Sequence, residues 1–226
     1  MCISFIACGK DNSEDIIPMV TLSFNQQIVS GNSMTRATTN EFLDIIEEQT
    51  PSYINVTLKN LDLDKTYTCK SNESITIPLG NYEISGYYNG SNIYNLMNST
   101  PNLKCDTFSI NIKYDTKTIT LNTYYNCYAV FALIDECKTC NYYSHSFSKK
   151  NKYYVAYFES GDAVVTLTPY DDSTEFITTT YNFSTTYTIG KVYAEYGKYY
   201  VIHPQKVDKT LCSFNVNITD MEEGEI

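Results

Sequence analysis

A single arginine, Arg36, and two histidines are all that 226 residues offer of the side chains that most often clamp phosphates or relay protons. The formal net charge is -10 and no Lys-rich face is visible, so a phosphate backbone would find no basic stripe, which argues against a nucleic-acid partner. Bidentate clamps would have to be built from Lys, which argues against phosphoryl chemistry too. No segment approaches the ~18 apolar residues of a membrane-crossing helix. Ala and helix-favouring runs are also scarce. What fills the chain is 22 Tyr with many Thr, Ile and Val, residues that suit a pleated, half-buried surface, and the expected class is all-β.

The residues that could carry chemistry lack the settings chemistry needs. His145 and His203 lie beside neither a nucleophile elbow nor a metal-binding helix. Cys137-Lys-Thr-Cys140, with His145 shortly after, has ligand or redox spacing. A structural zinc needs four ligands, though, and a redox dithiol belongs on a βαβ pattern that is absent. Asp171-Asp172 and Asp62-Leu-Asp64 are acidic pairs in loop-like sequence, where carboxylates are ordinarily solvated. The expectation is a non-enzyme with no metal and no cofactor. Cys69, Cys105, Cys127, Cys137, Cys140 and Cys212 are either disulfide partners, with connectivity underivable from sequence, or buried free thiols.

Met1-Cys-Ile-Ser-Phe-Ile-Ala-Cys8 is a short apolar run that ends in a small residue and a cysteine, and polar Gly9-Lys-Asp-Asn-Ser-Glu-Asp15 follows at once. Phe5-Ile6-Ala7-Cys8 resembles the lipobox of bacterial lipoproteins, in which the peptidase cuts before the cysteine and its thiol carries the lipid. On this reading residues 1–8 are the remnant of a lipoprotein signal whose basic n-region lies upstream of Met1. Residues 9–16 are then a flexible tether. The other reading makes the apolar run a buried first strand containing Cys8.

Strand signals fill the rest. Val20, Leu22 and Phe24 alternate with Thr21 and Ser23, and residues 26–40 read as a long polar loop. Thr39 or Asn40 would cap the one helix, where Phe42, Ile45 and Ile46 recur at helical spacing before Pro51. Short strands then follow at Ile54–Leu58, Ile75–Ile77, Tyr82–Ile84, Phe108–Ile112 and Ile119–Leu121. Cys127–Ile134 is a continuous apolar run suited to a central strand covered on both faces. After it come Tyr153–Phe158, Ala163–Leu167, Phe176–Tyr181, Tyr187–Tyr193, Tyr199–Ile202 and Phe214–Ile218. Two sandwiches over 17–122 and 123–226, the second with an acidic tail, fit this string, as does one continuous sandwich. Tyr87-Tyr88, Tyr124-Tyr125, Tyr142-Tyr143, Tyr153-Tyr154 and Tyr199-Tyr200 are adjacent pairs. In a strand each pair sends one ring to each face.

Three features in order resemble the fimbrillin-like lipoproteins of the Bacteroidetes. They are Phe5–Cys8 with its charged tether, Met34-Thr35-Arg36-Ala37-Thr38 after the first strand, and Ile75-Thr-Ile-Pro-Leu-Gly80-Asn-Tyr82 with its "P-x-G-x-Y" turn, read as a tight hairpin. They cover residues 5–88, while the second half matches only in strand-rich texture. The resemblance implies two tandem immunoglobulin-like or transthyretin-like sandwiches with Greek-key character, anchored by lipid at the outer membrane and displayed on the cell surface. For a polymerising member it implies protease processing between Arg36 and Ala37, which would release the strand Val20–Phe24 and open a groove for the next subunit; the other reading makes Arg36 an exposed loop arginine in a non-polymerising relative. The implied partners are the membrane, through the anchor, with pilus subunits, a host protein or a glycan. The role is structural, adhesive or pilus-associated; the alternative is a carbohydrate-binding lipoprotein for glycan capture.

Overall fold

Val20 and Leu22 are buried and Thr21 between them is exposed, so the opening alternation folds as the strand β1 (Met19–Ile28). The structure is a computed structural model and describes residues 17–29, 41–94, 96–159, 161–170, 175–206 and 216–220. β1 continues beyond Phe24 because Gln26, Gln27 and Ile28 pair through the backbone with Leu121, Asn122 and Thr123. Side-chain polarity does not report that pairing, and residues 26–28, expected to begin a loop, are strand.

The helix α1 (Glu41–Gln49) lies where helical spacing placed it, with Leu43, Ile45 and Ile46 buried. Its expected caps, Thr39 and Asn40, fall outside the described residues. Four strands follow, β2 (Asn55–Asn60), β3 (Lys65–Lys70), β4 (Ile75–Pro78) and β5 (Gly80–Tyr88). After them come β6 (Asn92–Tyr94), β7 (Met97–Asn98), β8 (Leu103–Ile112) and β9 (Thr118–Tyr125). One seven-stranded path runs β3-β2-β5-β8-β9-β1-β4. Both β1 and β9 change partners midway. Met19–Leu22 pairs antiparallel with β4 and Ser23–Ile28 parallel with β9, whereas Tyr124 and Tyr125 leave β1 for β8. Strands that switch partners in this way turn corners between layers.

The segment around Gly80 departs from the sequence expectation. β4 and β5 do not form a hairpin: β4 pairs with β1 at one end of the path, and β5 pairs with β2 and β8. Leu79 and Gly80 therefore carry a crossover. Gly80 has φ +141°, and a Cβ there would stand 2.5 Å from Asp62 Oδ2. That carboxylate accepts hydrogen bonds from the Asn81 backbone N–H at 2.7 Å and from Asn81 Nδ2 at 3.1 Å. Asn60 Oδ1 in turn accepts from the N–H groups of Asp62 and Leu63. Asp62, proposed in sequence as half of an acidic pair, is thus a turn lock, and Asp64 faces Lys59 at 3.7 Å.

The second half contains β10 (Tyr128–Leu133), β11 (Thr139–Tyr142), β12 (His145–Ser146), β13 (Ser148–Lys150), β14 (Tyr153–Phe158) and β15 (Ala163–Thr168). β16 (Phe176–Ile177), β17 (Thr179–Ser184), β18 (Val192–Tyr193), β19 (Lys198–Ile202), β20 (Gln205–Lys206) and β21 (Val216–Asp220) complete it. One sheet has the order β21-β19-β10-β14-β7-β6, with β13 also on β14, and a second has β12-β11-β15-β17-β18. Only Val192 and Tyr193 of the expected strand 187–193 are extended in a ladder. Tyr187 lies outside any strand, and Ile189 stands in the turn Thr188–Lys191 with Gly190 at φ +82°.

β10 and β14 are buried along nearly their whole length because both of their faces are covered. On one side Phe42 of α1 sits 5.1 Å from Phe131, 4.8 Å from Tyr153 and 5.1 Å from Tyr199, ring centre to ring centre. On the other, Phe183 of the second sheet meets Tyr128 at 5.9 Å and Tyr200 at 5.5 Å. Hydrogen bonds fasten the helix: Tyr157 Oη donates to Gln49 Oε1 at 2.7 Å, Gln49 Nε2 donates to Ser99 O at 3.2 Å, and Tyr153 Oη donates to Glu41. So α1, β6 and β7, all early in the chain, complete a sheet whose other strands come late. The passage between the two sheet systems is Asn126–Cys127, and residue 122 lies inside β9.

Gly80→Ala forces a side chain into a positive-φ position against Asp62, and is expected to cost about 1–3 kcal/mol, read as a lower urea midpoint with an unchanged slope. Phe42→Ala removes the ring that caps Phe131, Tyr153 and Tyr199; a loss of about 3 kcal/mol is expected in the same measurement.

Candidate functional site

The strand registers of the first sheet system align one outward row across five strands. Lys70 of β3 lies opposite Asn55 of β2, Asn55 opposite Tyr87 of β5, Tyr87 opposite Lys104 of β8, and Lys104 opposite Tyr124 of β9. Residues directly opposite in a ladder share a face. Their neighbours Val56, Gly86, Cys105 and Tyr125 belong to the inner face, and Val56, Cys105 and Tyr125 are buried in the core. The face follows from simple alternation, except that β8 carries an irregularity between the pairs at Ile84 and Gly86, which sets Asp106 and Thr107 both outward.

Tyr87 stands at the middle of the row, 50% exposed, between two shallow depressions that both include it. One, of about 280 Å³, is lined by Tyr88, Asn89, Asn102, Lys104 and Asn126 among others. The second, of about 380 Å³, lies over Asn55, Thr57, Thr68, Lys70 and Glu73. Tyr124 Oη donates to Asp106 Oδ1 at 2.8 Å, and Lys104 Nζ lies 3.1 Å from the same oxygen. These contacts hold the Asp106 carboxyl below its ordinary value, the Tyr124 hydroxyl being the larger cause, and raise the Lys104 ammonium. Lys70 lies over the Tyr53 ring, 4.7 Å from its centre, and Tyr53 meets Tyr88 edge-on at 5.8 Å. The face is polar and crossed by aromatic rings, and no group on it is poised as a nucleophile or base.

Other sequence candidates resolve one by one. Cys8, Arg36, Ala37, Cys212 and the pair Asp171-Asp172 lie outside the described residues. Cys69, Cys105, Cys127, Cys137 and Cys140 are free thiols. Burial pushes Cys69 up to about 11 and Cys127 and Cys137 to about 12, and it raises Cys105 and Cys140 as well, so these sulfurs stay protonated and unreactive at neutral pH. Cys137 Sγ donates to Leu133 O at 3.2 Å, and Cys140 pairs with Leu167 in the second sheet. Among the described residues no three His, Cys, Asp or Glu side chains converge as metal ligands would. His203 Nδ1 is bonded to Glu136 at 2.6 Å.

The tyrosine pairs divide in two. Tyr87/Tyr88 and Tyr124/Tyr125 follow the expected alternation, with Tyr124 exposed only in part, whereas Tyr143 lies past the end of β11 at φ +51° with its ring 4.7 Å from that of Tyr142. Tyr153, Tyr154, Tyr199 and Tyr200 are all buried, because α1 and the second sheet cover both faces of their strands. Sequence reading picked out Tyr87 through its pair but missed Asn55, Lys70 and Lys104. They come singly from three other strands, and only the register brings them together.

No family model matches the chain, and no curated protein matches it. Solved structures give remote likenesses. A candidate cell adhesion protein of Bacteroides uniformis is 10% identical with a TM-score of 0.44, over 76% of this chain and 93% of that one. A candidate adhesin of Bacteroides ovatus is 10% identical with a TM-score of 0.32, over 83% and 90%. A streptococcal ancillary pilin is 11% identical with a TM-score of 0.28, over 85% and 63%.

Because Asp106 has a lowered pKa in the folded chain, its stabilising contribution is present above the ordinary carboxylate value of 3.8 and is lost as pH falls through the lowered one. The expected outcome is that Asp106→Asn has a lower urea midpoint than the parent at neutral pH, and that the two converge in strong acid.

Proposed function

We propose that this chain is a surface-exposed, lipid-anchored protein with a structural, adhesive or pilus-associated role, held at the outer membrane through Cys8. The observation that carries the reading is the boundary at Cys8. An apolar Phe5-Ile6-Ala7 gives way to the polar Gly9–Asp15, and the β-rich body begins shortly beyond, at Met19. An acylated cysteine on a short charged spacer would present such a body to the surroundings, since two or more acyl chains anchor stably where one does not. We read the two sheet systems as tandem sandwiches of immunoglobulin-like or transthyretin-like kind that meet near the end of β9.

The placement of β1 favours a pilus-associated form of the role. It lies between β4 and β9, with Val20 and Leu22 in the core, and Arg36-Ala37 falls between β1 and α1 in the chain. Cleavage there would leave β1 held only by its pairing and packing. Its departure would bare the edge of β4 along the first part of its length and the edge of β9 along the rest, which a strand from another subunit could pair with. The face around Tyr87 favours the second reading, glycan capture by a surface lipoprotein.

The full-length precursor, expressed in a bacterium that acylates lipoproteins and fed labelled palmitate, is expected to take up label, and Cys8→Ser to abolish it. Equal labelling of parent and variant would remove the anchor.

A further inference from the structure

We propose that the outer face of the first sheet system binds an uncharged polysaccharide laid across the strands, with the Tyr87 ring as its stacking platform and the two flanking depressions as sites for successive sugars. The proposal rests on the glycan-capture reading and gives it a place and a ligand chemistry.

A sugar ring has an apolar face of C–H groups and an equator of hydroxyls. It is held by a flat amphipathic ring beneath it and by short polar side chains at its edge. Tyr87 is such a ring, half exposed at the centre of a row about 19 Å long at the usual strand spacing. The space on both sides of it is lined by amides and hydroxyls from Asn55, Thr57, Thr68, Asn89 and Asn126, each of which can both donate and accept. A chain lying perpendicular to the strands meets these groups in sequence.

Charge decides which glycan. Lys59, Lys70 and Lys104 are balanced by Glu73, Glu83 and Asp106 on or beside the same face, and Lys104 is already engaged by Asp106. The rest of the chain carries the excess negative charge. A polyanion would meet carboxylates without a net attractive field, while a neutral ligand meets no penalty.

A second observation lies beside the site. Asn102, which lines the smaller depression, is 2% exposed, and its Oδ1 accepts from the Gly90 N–H and from Asn98 Nδ2. Its own Nδ2 has no hydrogen-bond partner among the described residues. A buried amide N–H without an acceptor is costly, and a water enclosed beneath the depression would satisfy it.

The test uses the full 226-residue chain on immobilised tetrasaccharides of glucose, mannose, galactose and N-acetylglucosamine, with a sulfated and a uronate-rich glycan beside them. Binding to at least one uncharged probe is expected, nearly the same in low and high salt. Tyr87→Ala should weaken it about tenfold. Tyr87→Phe should retain it, and Tyr143→Ala, at a 60% exposed ring of the other half, should leave it unchanged. Circular dichroism confirms that each variant is folded. Failure of every uncharged probe overturns the proposal, as does binding that Tyr87→Ala leaves intact, or binding confined to the charged glycans and lost in high salt. The anchor is read separately: palmitate labelling at Cys8 with no glycan bound overturns this site alone, and glycan binding without labelling overturns the anchor alone.

Discussion

Strands β10, β14 and β19 carry apolar or aromatic side chains on both faces, and a sheet of that kind cannot be left half solvated. Two covers are therefore required. The five-stranded sheet brings Phe183 and Tyr142 to one side, and α1 brings Phe42 to the other. Much of the architecture follows from the second cover. A nine-residue helix would be marginal in water by itself, and it persists because its apolar residues are buried and Phe42 and its bonds from Gln49 and Glu41 are spent on that sheet. The same demand draws β6 and β7 out of the first half of the chain to extend the sheet at β14.

This sharing has a consequence for the first sheet system. With α1 given over to the far sheet, nothing among the described residues covers the outer face of β3, β2, β5 and β8, which is built from Thr, Asn, Lys and Tyr rather than from aliphatic residues. Solvent can satisfy such a face when it is empty, and a polar ligand can replace that solvent without a large penalty. Tyr87 stands half exposed on that face, and the Asn102 amide beside it has no hydrogen-bond partner among the described residues. Such a face can bind a ligand without needing a deep pocket.

Legibility in the sequence tracked the number of buried side chains per element. β10 announced itself as a continuous apolar run and α1 by its spacing of Phe42, Ile45 and Ile46, since in each the burial pattern is complete within a few residues. β3 was not visible: Thr66, Thr68 and Lys70 face outward at the edge of the sheet and only Tyr67 and Cys69 turn inward, both partly covered. The last residues of β1 escaped for a related reason, their contribution being backbone pairing with β9. The segment 187–193 erred the other way. Its Tyr, Ile and Val look like a strand, yet Tyr187 and Ile189 are among the most exposed apolar side chains described.

By itself the sequence determined what local chemistry can determine: the all-β class, the helix over residues 41–49, the need for glycine at position 80 and the abrupt polarity change at Cys8. Tertiary structure alone decided which strands are neighbours. Ile75–Pro78 and Gly80–Tyr88 adjoin in the chain yet lie apart in the sheet path, while Lys70, Asn55, Tyr87, Lys104 and Tyr124, spread over some seventy positions, stand in one row. The physical reason is that a strand's own residues fix which of its faces is apolar but carry no local signal for its partner. Partner and register are selected by the packing of every other strand at once, and the candidate face exists only as a product of that selection.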